Sequence, residues 1–287
     1  MKAQFDNRVM SSLLLFVDHK LLNHGEAFDN HSSYFTEANQ TYANYFNYSA
    51  PFKQLVSDVS IDGATVMTGV YLDDTFIIPG QSGLNSIDYK NGQVNFTQQI
   101  TGNNRISGNY SVKEFNTYLT TLSEEEILFE SKYHVKPKTH ETTTGLAPSA
   151  QTFPAVFVKN VSSENVPFSF GGTDQTNFNA RLVVLADSAY NLDAACSILK
   201  DVVKSNVYFI QDELPYNALG AYTGVAYNYT GLTTGEAGDG NTIFLNKAYV
   251  SKNVAGLTAY NKINPQMHSA FVDYELIIAR RPRQFND

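Results

Sequence analysis

The residues of this chain that could do chemistry are six histidines, one cysteine and a set of carboxylates. Such side chains bind metal ions when they recur at fixed spacings, and a histidine beside a carboxylate can act as a general base. The histidines show no ligand spacing: His19 and His24 are five residues apart and fall off a common helical face. The glutamates at 124–126 stand where a helix would begin, and negative charge there favours the helix dipole. The sequence therefore predicts neither a metal site nor a cofactor.

The chain contains none of the common catalytic motifs. The phosphate loop GxxxxGK[ST], a GxGxxG after a strand, the nucleophile elbow GxSxG and the zinc-protease motif HExxH are all absent from it. Asp187 and Ser188 could belong to a hydrolytic triad, but no histidine has a supporting context, and helix capping explains them better. Asp58 and Asp62 could form a carboxylate pair without an identifiable base. We therefore expect no enzymatic activity.

The most organised stretch is residues 178–203, FNARLVVLADSAYNLDAACSILKDVV. Its first part is rich in β-branched and apolar residues and predicts a buried strand. From Leu192 to Val203 the apolar residues recur at helical spacing, which predicts one amphipathic helix. Cys196 lies on the apolar stripe of that helix, so a buried structural thiol is favoured over a nucleophile. A second strand, NVYFI, completes a strand, helix, strand unit.

The N-terminal half has a helix followed by strand-like segments. The helix precedes Gly25, and the polar aromatic run at 34–52 predicts loop or irregular extended chain. In SIDYKNGQVNF, Asn91-Gly92 predicts a two-residue type I′ hairpin turn. A capping box formed by Ser123 and Glu126 predicts a short helix.

The fold class predicted from these elements is α+β. Residues 1–135 form an N-terminal helix plus a β-rich domain, and the Pro- and Thr-rich segment 136–154 is a linker. Residues 155–287 form a C-terminal α+β domain whose sheet is covered by one principal helix. A long loop at 212–241, dense in Gly, Tyr, Asn and Thr, interrupts this domain and is expected to be functional or mobile.

Composition and charge narrow the possible partners. A net charge of −8 and a pI near 5.2 argue against electrostatic binding to nucleic acid. The N-terminus mixes apolar and charged residues, so we expect no signal peptide, no membrane span and synthesis in a cytoplasm. The 18 tyrosines and 19 phenylalanines suit either protein contact through amphipathic rings or buried strands, and both interpretations remain open.

Residues 154–210 resemble the tail-terminator and tail-completion proteins of tailed bacteriophages. In that family a strand of pattern xxVxVxA precedes a short polar turn and one helix with ALxxxLxxxL-like spacing. Here RLVVLA at 181–186 occupies the strand, and Leu192, Ala195, Leu199 and Val203 occupy the helix. The N-terminal half does not match this small family, and resembles phage virion proteins more broadly, including neck components between head and tail.

The resemblance implies a structural virion protein that forms a ring, commonly six-fold, at the head–tail junction. The expected partners are further copies of the chain, the tail tube, the tail sheath if present, and head-connector proteins, with DNA only passing through. The expected location is the virion neck or tail, after assembly in the host cytoplasm. Tyr216, Tyr222, Tyr227 and Tyr229 in the long loop are the predicted contacts with a neighbouring subunit or ring. The alternatives are a carbohydrate- or receptor-binding β-module of a virion tail and an unrecognised hydrolase.

Overall fold

The structure is a computed structural model that describes the greater part of the chain. The described residues are 5–38, 45–101, 104–130, 133–135, 151–169, 173–210, 215, 224–234, 242–252 and 267–280. The α+β class predicted from the sequence is confirmed, and strands predominate over helices.

Seven strands of the first half form one antiparallel sheet. They are β1 (Phe28–Glu37), β2 (Phe46–Ser49), β3 (Val70–Leu72), β4 (Thr75–Ile77), β5 (Leu84–Asp88), β6 (Gln93–Phe96) and β7 (Ile106–Lys113). Their spatial order is β4-β3-β7-β1-β2-β6-β5. The inner face buries its own apolar cluster, which includes Phe35, Phe96 and Tyr110.

A six-stranded sheet forms the second layer. Its strands are β8 (Asn116–Leu119), β11 (Ala155–Ser169), β12 (Thr173–Ala186), β13 (Asn206–Tyr208), β14 (Thr242–Ser251) and β15 (His268–Arg280). Their order is β13-β14-β15-β12-β11-β8, and only the β8–β11 pair is parallel. A separate parallel pair joins β9 (Tyr133–Val135) to β10 (Gln151–Phe153), so the end of the predicted linker is a strand. Residues 136–150 of that linker lie outside the described part of the chain.

Three helices accompany the sheets within the described residues. They are α1 (Phe5–Gly25), α2 (Ala189–Asp201) and α3 (Tyr229–Thr234). A short π-helical segment, Glu126–Glu130, follows the predicted capping box. The box is confirmed, because the Ser123 N–H donates to Glu126 Oε2 at 2.7 Å and the Glu126 N–H donates to Ser123 Oγ at 3.1 Å.

Helix α1 belongs to a different layer from the one we expected. Its buried residues, among them Leu13 and Val17, share one apolar cluster with Val184 of β12 and Leu199 of α2. Two helices therefore cover this face of the six-stranded sheet, where the sequence predicts one. The amphipathic pattern of α1 shows that it has a buried face, but a pattern carries no information about which sheet receives that face.

The opposite face of the same sheet is covered by another part of the N-terminal half. Ile127 and Leu128 pack in one cluster with Phe157, Val183 and Phe271. Residues 1–135 thus supply β8, α1 and this cover to the C-terminal sheet. The segment 136–154 consequently does not separate two independent cores.

The prediction of loop or irregular extended chain for the polar aromatic run is wrong at two places, because residues 34–37 continue β1 and residues 46–49 form β2. In β1, buried Ser33 and Phe35 alternate with exposed Ser32 and Tyr34. Serine lies on both faces of this strand, so the hydrophobic alternation that marks a half-buried strand is weak in the sequence.

The predicted hairpin exists as β5 and β6, but its turn differs from the prediction. Asp88 pairs with Gln93, so residues 89–92 form a four-residue connection. Only Gly92, at φ +64°, has a positive φ in this connection, which rules out a type I′ turn. A Cβ at Gly92 would collide with the backbone carbonyl oxygen of Phe52, so the turn packs directly against the preceding segment.

Within the described residues, no helix has both the length and the apolar character needed to cross a membrane.

Candidate functional site

A polar cluster lies buried where α1 meets the segment after β2. His19 Nδ1 lies 2.8 Å from Asp58 Oδ2, and both side chains are almost completely buried. The other carboxylate oxygen, Oδ1, accepts hydrogen bonds from the N–H and the hydroxyl of Ser60, at 2.9 and 2.7 Å. It also accepts the backbone N–H of Tyr229 at 3.0 Å. Asp58 thus connects three parts of the chain that are distant in sequence.

These residue types are those of a hydrolytic triad, but their order in space is different. In a triad the histidine lies between the hydroxyl and the carboxylate, because it must take the hydroxyl proton. Here Ser60 and His19 both bind Asp58, so the hydroxyl is bonded to the acid and not to the ring. Asp62 is exposed while Asp58 is buried, so the two do not share an environment as a catalytic pair. This geometry supports a structural role for the cluster.

The electrostatics of Asp58 agree with that role. Burial alone would raise its pKa, but the hydrogen bonds from His19, Ser60 and the Tyr229 backbone outweigh burial and hold the pKa below its ordinary value. The carboxylate is therefore ionised near neutral pH.

A buried ion pair lies one residue earlier on α1. Lys113 Nζ at the end of β7 donates to both oxygens of Asp18, at 2.7 and 2.6 Å. The Thr117 hydroxyl on β8 donates to the same carboxylate at 2.7 Å, and the Tyr227 hydroxyl lies 3.4 Å from it. Asp18 therefore joins the two sheets and the long loop through one carboxylate.

Of the four tyrosines predicted as interface contacts, the structure describes two. Tyr216 and Tyr222 lie outside the described residues. Tyr227 and Tyr229 are described, and both are buried inside their own chain. The Tyr229 ring stacks on His19 with centroids 4.4 Å apart, and burial raises its pKa. Rings already buried in this way have little surface left for a neighbour, and here they hold the loop to α1.

The strand, helix, strand unit serves as scaffold, as the sequence predicts. Ser188 is the N-cap of α2, its hydroxyl accepting the Asn191 N–H at 3.1 Å, and Asp187 accepts the Asn191 side-chain amide at 2.8 Å. Cys196 is buried on the inner face of the helix, and burial raises the pKa of its thiol to about 11. A nucleophilic cysteine needs the opposite shift.

Among the described residues, each edge of the six-stranded sheet has a stretch without a partner strand. At one edge β13 pairs with β14 only from Thr242 to Phe244, and residues 204–205 add backbone bonds to Leu245. Along 246–251 no strand of the described chain pairs with the outer side of β14. At the other edge β8 pairs with β11 only from Ala155 to Val158. The outer side of 159–169 likewise has no partner strand among the described residues.

The open part of β11 is supported by the neighbouring strands of the sheet and by α1. Its partner β12 pairs with β15 along its whole length, as far as Asp174 opposite Arg280. The Ser163 hydroxyl donates to Asp6 at the start of α1, at 2.9 Å. This edge is therefore a supported surface and not an isolated arm.

Metal binding has no geometric support in the described residues, where no three His, Cys, Asp or Glu side chains come together. Sequence reasoning missed the His19–Asp58 and Asp18–Lys113 pairs, although Asp18 and His19 lie within the apolar stretch of α1. Polar residues inside an apolar stripe require buried partners, and that is the signal that could have found them. Compared with protein-family models and with curated proteins, the chain finds no match.

Proposed function

We propose that this chain is a structural virion protein that assembles into a ring at the head–tail junction of a tailed phage, the function implied by the resemblance of residues 154–210. The observation that supports ring formation best is the pair of edges, on opposite sides of one sheet, that have no partner strand within the described part of the chain. An open edge presents unpaired backbone N–H and C=O groups that another strand can pair with. Two different edges on one subunit favour a head-to-tail interface, which closes into a ring when the rotation from copy to copy adds up to a full turn.

The strand directions suit such an interface. Strand β14 is antiparallel to β15, β15 to β12, and β12 to β11, so β14 and β11 run in opposite directions. A second copy, rotated about an axis near the strand direction, would therefore place its β11 antiparallel to β14 of the first. Antiparallel pairing would then continue from one subunit into the next.

The two open stretches are offset along the strands. Through the register, Lys247 lies level with Ser162 and Ser251 lies level with Phe157. The open part of β14 is thus level with residues 157–162 of β11, of which 159–162 are open, and the open residues 163–169 extend beyond it. Pairing along the whole open part of β14 requires each copy to shift along the strand direction relative to the last, and sheets that close on themselves are built with such a stagger.

Side chains along the β11 edge restrict how it can pair. Pro167 has no N–H to donate, and Val161 sits at a bulge between Asn160 and Ser162. Such features discourage indiscriminate edge pairing in proteins. They favour one register over extended aggregation, as a ring of fixed size requires.

Cysteine cross-linking of the full-length protein tests the ring. Glu164→Cys on β11 and Tyr249→Cys on β14 place exposed thiols on the two open edges, whereas the natural Cys196 is buried. With a short bis-maleimide, we expect the double variant to give a ladder that ends at the ring order. Each single variant should run as a single chain on a denaturing gel, because a head-to-tail interface keeps identical residues apart.

Two results would overturn ring formation through these edges. One is a double variant that gives no ladder together with a native mass of one chain. The other is a single variant that cross-links to itself, which would indicate a two-fold interface.

The assignment to the head–tail junction has its own test. Co-expression with the tail-tube protein of the same genome, followed by negative-stain imaging, should show rings at tube ends. Rings that never bind tubes would refute the neck assignment while leaving ring formation intact.

A further inference from the structure

A row of exposed aromatic residues crosses one face of the seven-stranded sheet. The register places Phe76 opposite Tyr71, Tyr71 opposite Ser107, and Ser107 opposite Tyr34. Directly opposed residues point to the same face of a sheet. Tyr34 is 60% exposed, Phe76 45% and Tyr71 38%. Large apolar rings rarely stay in solvent as a contiguous row without a binding role.

The small Ser107 side chain makes a slot in the middle of this row. Tyr34 and Tyr71 flank it from the strands on either side of β7. Because neighbouring strands lie about 4.8 Å apart, the two rings stand about 10 Å apart across the slot. Each wall is supported from behind. The Arg105 guanidinium lies 5.9 Å from the Tyr34 ring centre, and the Phe76 ring centre lies 5.1 Å from that of Tyr71.

The rim of the slot is polar. Ser32 and Asn109 form the next pair on the same face, and both are exposed. On the other side the backbone N–H of Arg105 donates to Asp73 Oδ1 at 2.9 Å, which fixes that carboxylate beside the row. Beyond Tyr34 a cavity of about 370 Å³ is lined in part by Glu37, Asn104 and Arg105. Hydroxyl, amide, carboxylate and guanidinium groups thus surround the aromatic walls of the slot.

We propose that this slot, formed by Tyr34, Ser107, Tyr71 and Phe76, binds a neutral carbohydrate. A sugar ring has apolar C–H faces, which stack on aromatic rings, and hydroxyl edges, which need donors and acceptors. The walls of the slot supply the aromatic rings, and its rim supplies the hydrogen-bond donors and acceptors. One basic and two acidic side chains, Arg105 with Glu37 and Asp73, give no positive surplus to attract an anionic ligand.

The same features disfavour a protein partner. The centre of a protein interface is dry and apolar, and its strongest contacts cluster there. Here the centre of the row is the hydroxyl of Ser107, with Asn109 beside it. The inference is also independent of ring assembly, because the slot belongs to the seven-stranded sheet and the open edges to the other one.

The test uses the labelled full-length protein on an array of neutral oligosaccharides of glucose, galactose, mannose and N-acetylglucosamine, followed by titration calorimetry with the best binder. We expect Tyr34→Ala and Tyr71→Ala each to weaken binding by about tenfold or more, since each removes one stacking wall. Ser107→Tyr should abolish binding by filling the slot. Tyr34→Phe should retain most of it, because the ring remains.

Tyr190→Ala is the matched control, since this tyrosine is 82% exposed on α2, in the other layer. Thermal melting of every variant separates lost binding from lost folding. The proposal is overturned by a silent array, or by binding that survives Ser107→Tyr in a folded variant. Binding of a protein at the slot that no sugar displaces would overturn it as well.

Discussion

His19 and Asp58, 39 residues apart, form a buried pair at 2.8 Å that fixes α1 to the segment after β2. The Tyr229 backbone N–H donates a hydrogen bond to the other oxygen of the same carboxylate, so this part of the long loop is held at the same point. A single acidic side chain thus determines how three distant segments meet.

Asp58→Asn should make the protein less stable and less sensitive to acid. Asp58 has a lowered pKa in the folded chain, so its ionised form stabilises the fold fully above its unfolded pKa, about 3.9, and that contribution is lost as pH falls through the lowered folded pKa. The amide cannot reproduce this charge, and we expect a loss of about 1–3 kcal/mol at pH 7. Urea unfolding at pH 7 and pH 3 measures both effects. Asp62→Asn, at an exposed position, is the control, and equal pH slopes for wild type and Asp58→Asn would contradict the prediction.

Lys113→Met should destabilise the fold by about 3–5 kcal/mol, because it leaves the Asp18 carboxylate buried without its cation. Adding Asp18→Asn should recover part of that loss, since the remaining buried group is then neutral. Urea unfolding of both single variants and the double variant gives the coupling free energy.

The control for that cycle is Lys247→Met, whose exposed pair with Glu275 should contribute at most about 1 kcal/mol. Additive single losses at Asp18 and Lys113 would show that the buried pair is not coupled.

Gly92→Ala should cost more stability than Gly80→Ala. Both glycines have positive φ, +64° and +93°, and each alanine should lose about 1–2 kcal/mol to backbone strain. Only at Gly92 does the added Cβ also meet the Phe52 carbonyl, which should add at least about 1 kcal/mol. Thermal or urea unfolding of the two variants isolates this collision, and equal losses would refute it.

The Cys196 thiol should react with a disulfide reagent only when the chain opens. Burial raises its pKa to about 11, so little thiolate exists at pH 8, and the side chain is buried in the apolar cluster between α2 and the six-stranded sheet. We expect labelling far slower than that of Glu164→Cys, and faster when urea favours opening. Labelling of native Cys196 at the rate of the exposed thiol would contradict its position in the core.

Local features of the fold could be predicted from the sequence. The Ser188 cap, the Ser123–Glu126 box and the end of α1 at Gly25 depend on neighbouring residues, and the structure confirms them. Such features are encoded within one helical turn, where residue type decides the outcome.

Long-range features could not be predicted in the same way. The partner of α1, the Asp18–Lys113 pair and the burial of Tyr227 all join segments separated by 95 residues or more. A Tyr-rich, Gly-rich segment is typical of an exposed loop, yet Tyr227 is buried because Asp18 offers its hydroxyl a partner inside the protein.

The packing of α1 on the second sheet has a consequence for synthesis. This helix leaves the ribosome before the elements that it packs against, and most of the surface that it covers, on β11, α2 and β13, is made more than a hundred residues later. Its apolar face must therefore wait in solvent until these elements are complete. A chain interrupted before β11 would carry an uncovered apolar helix, so truncated products are expected to aggregate or bind chaperones.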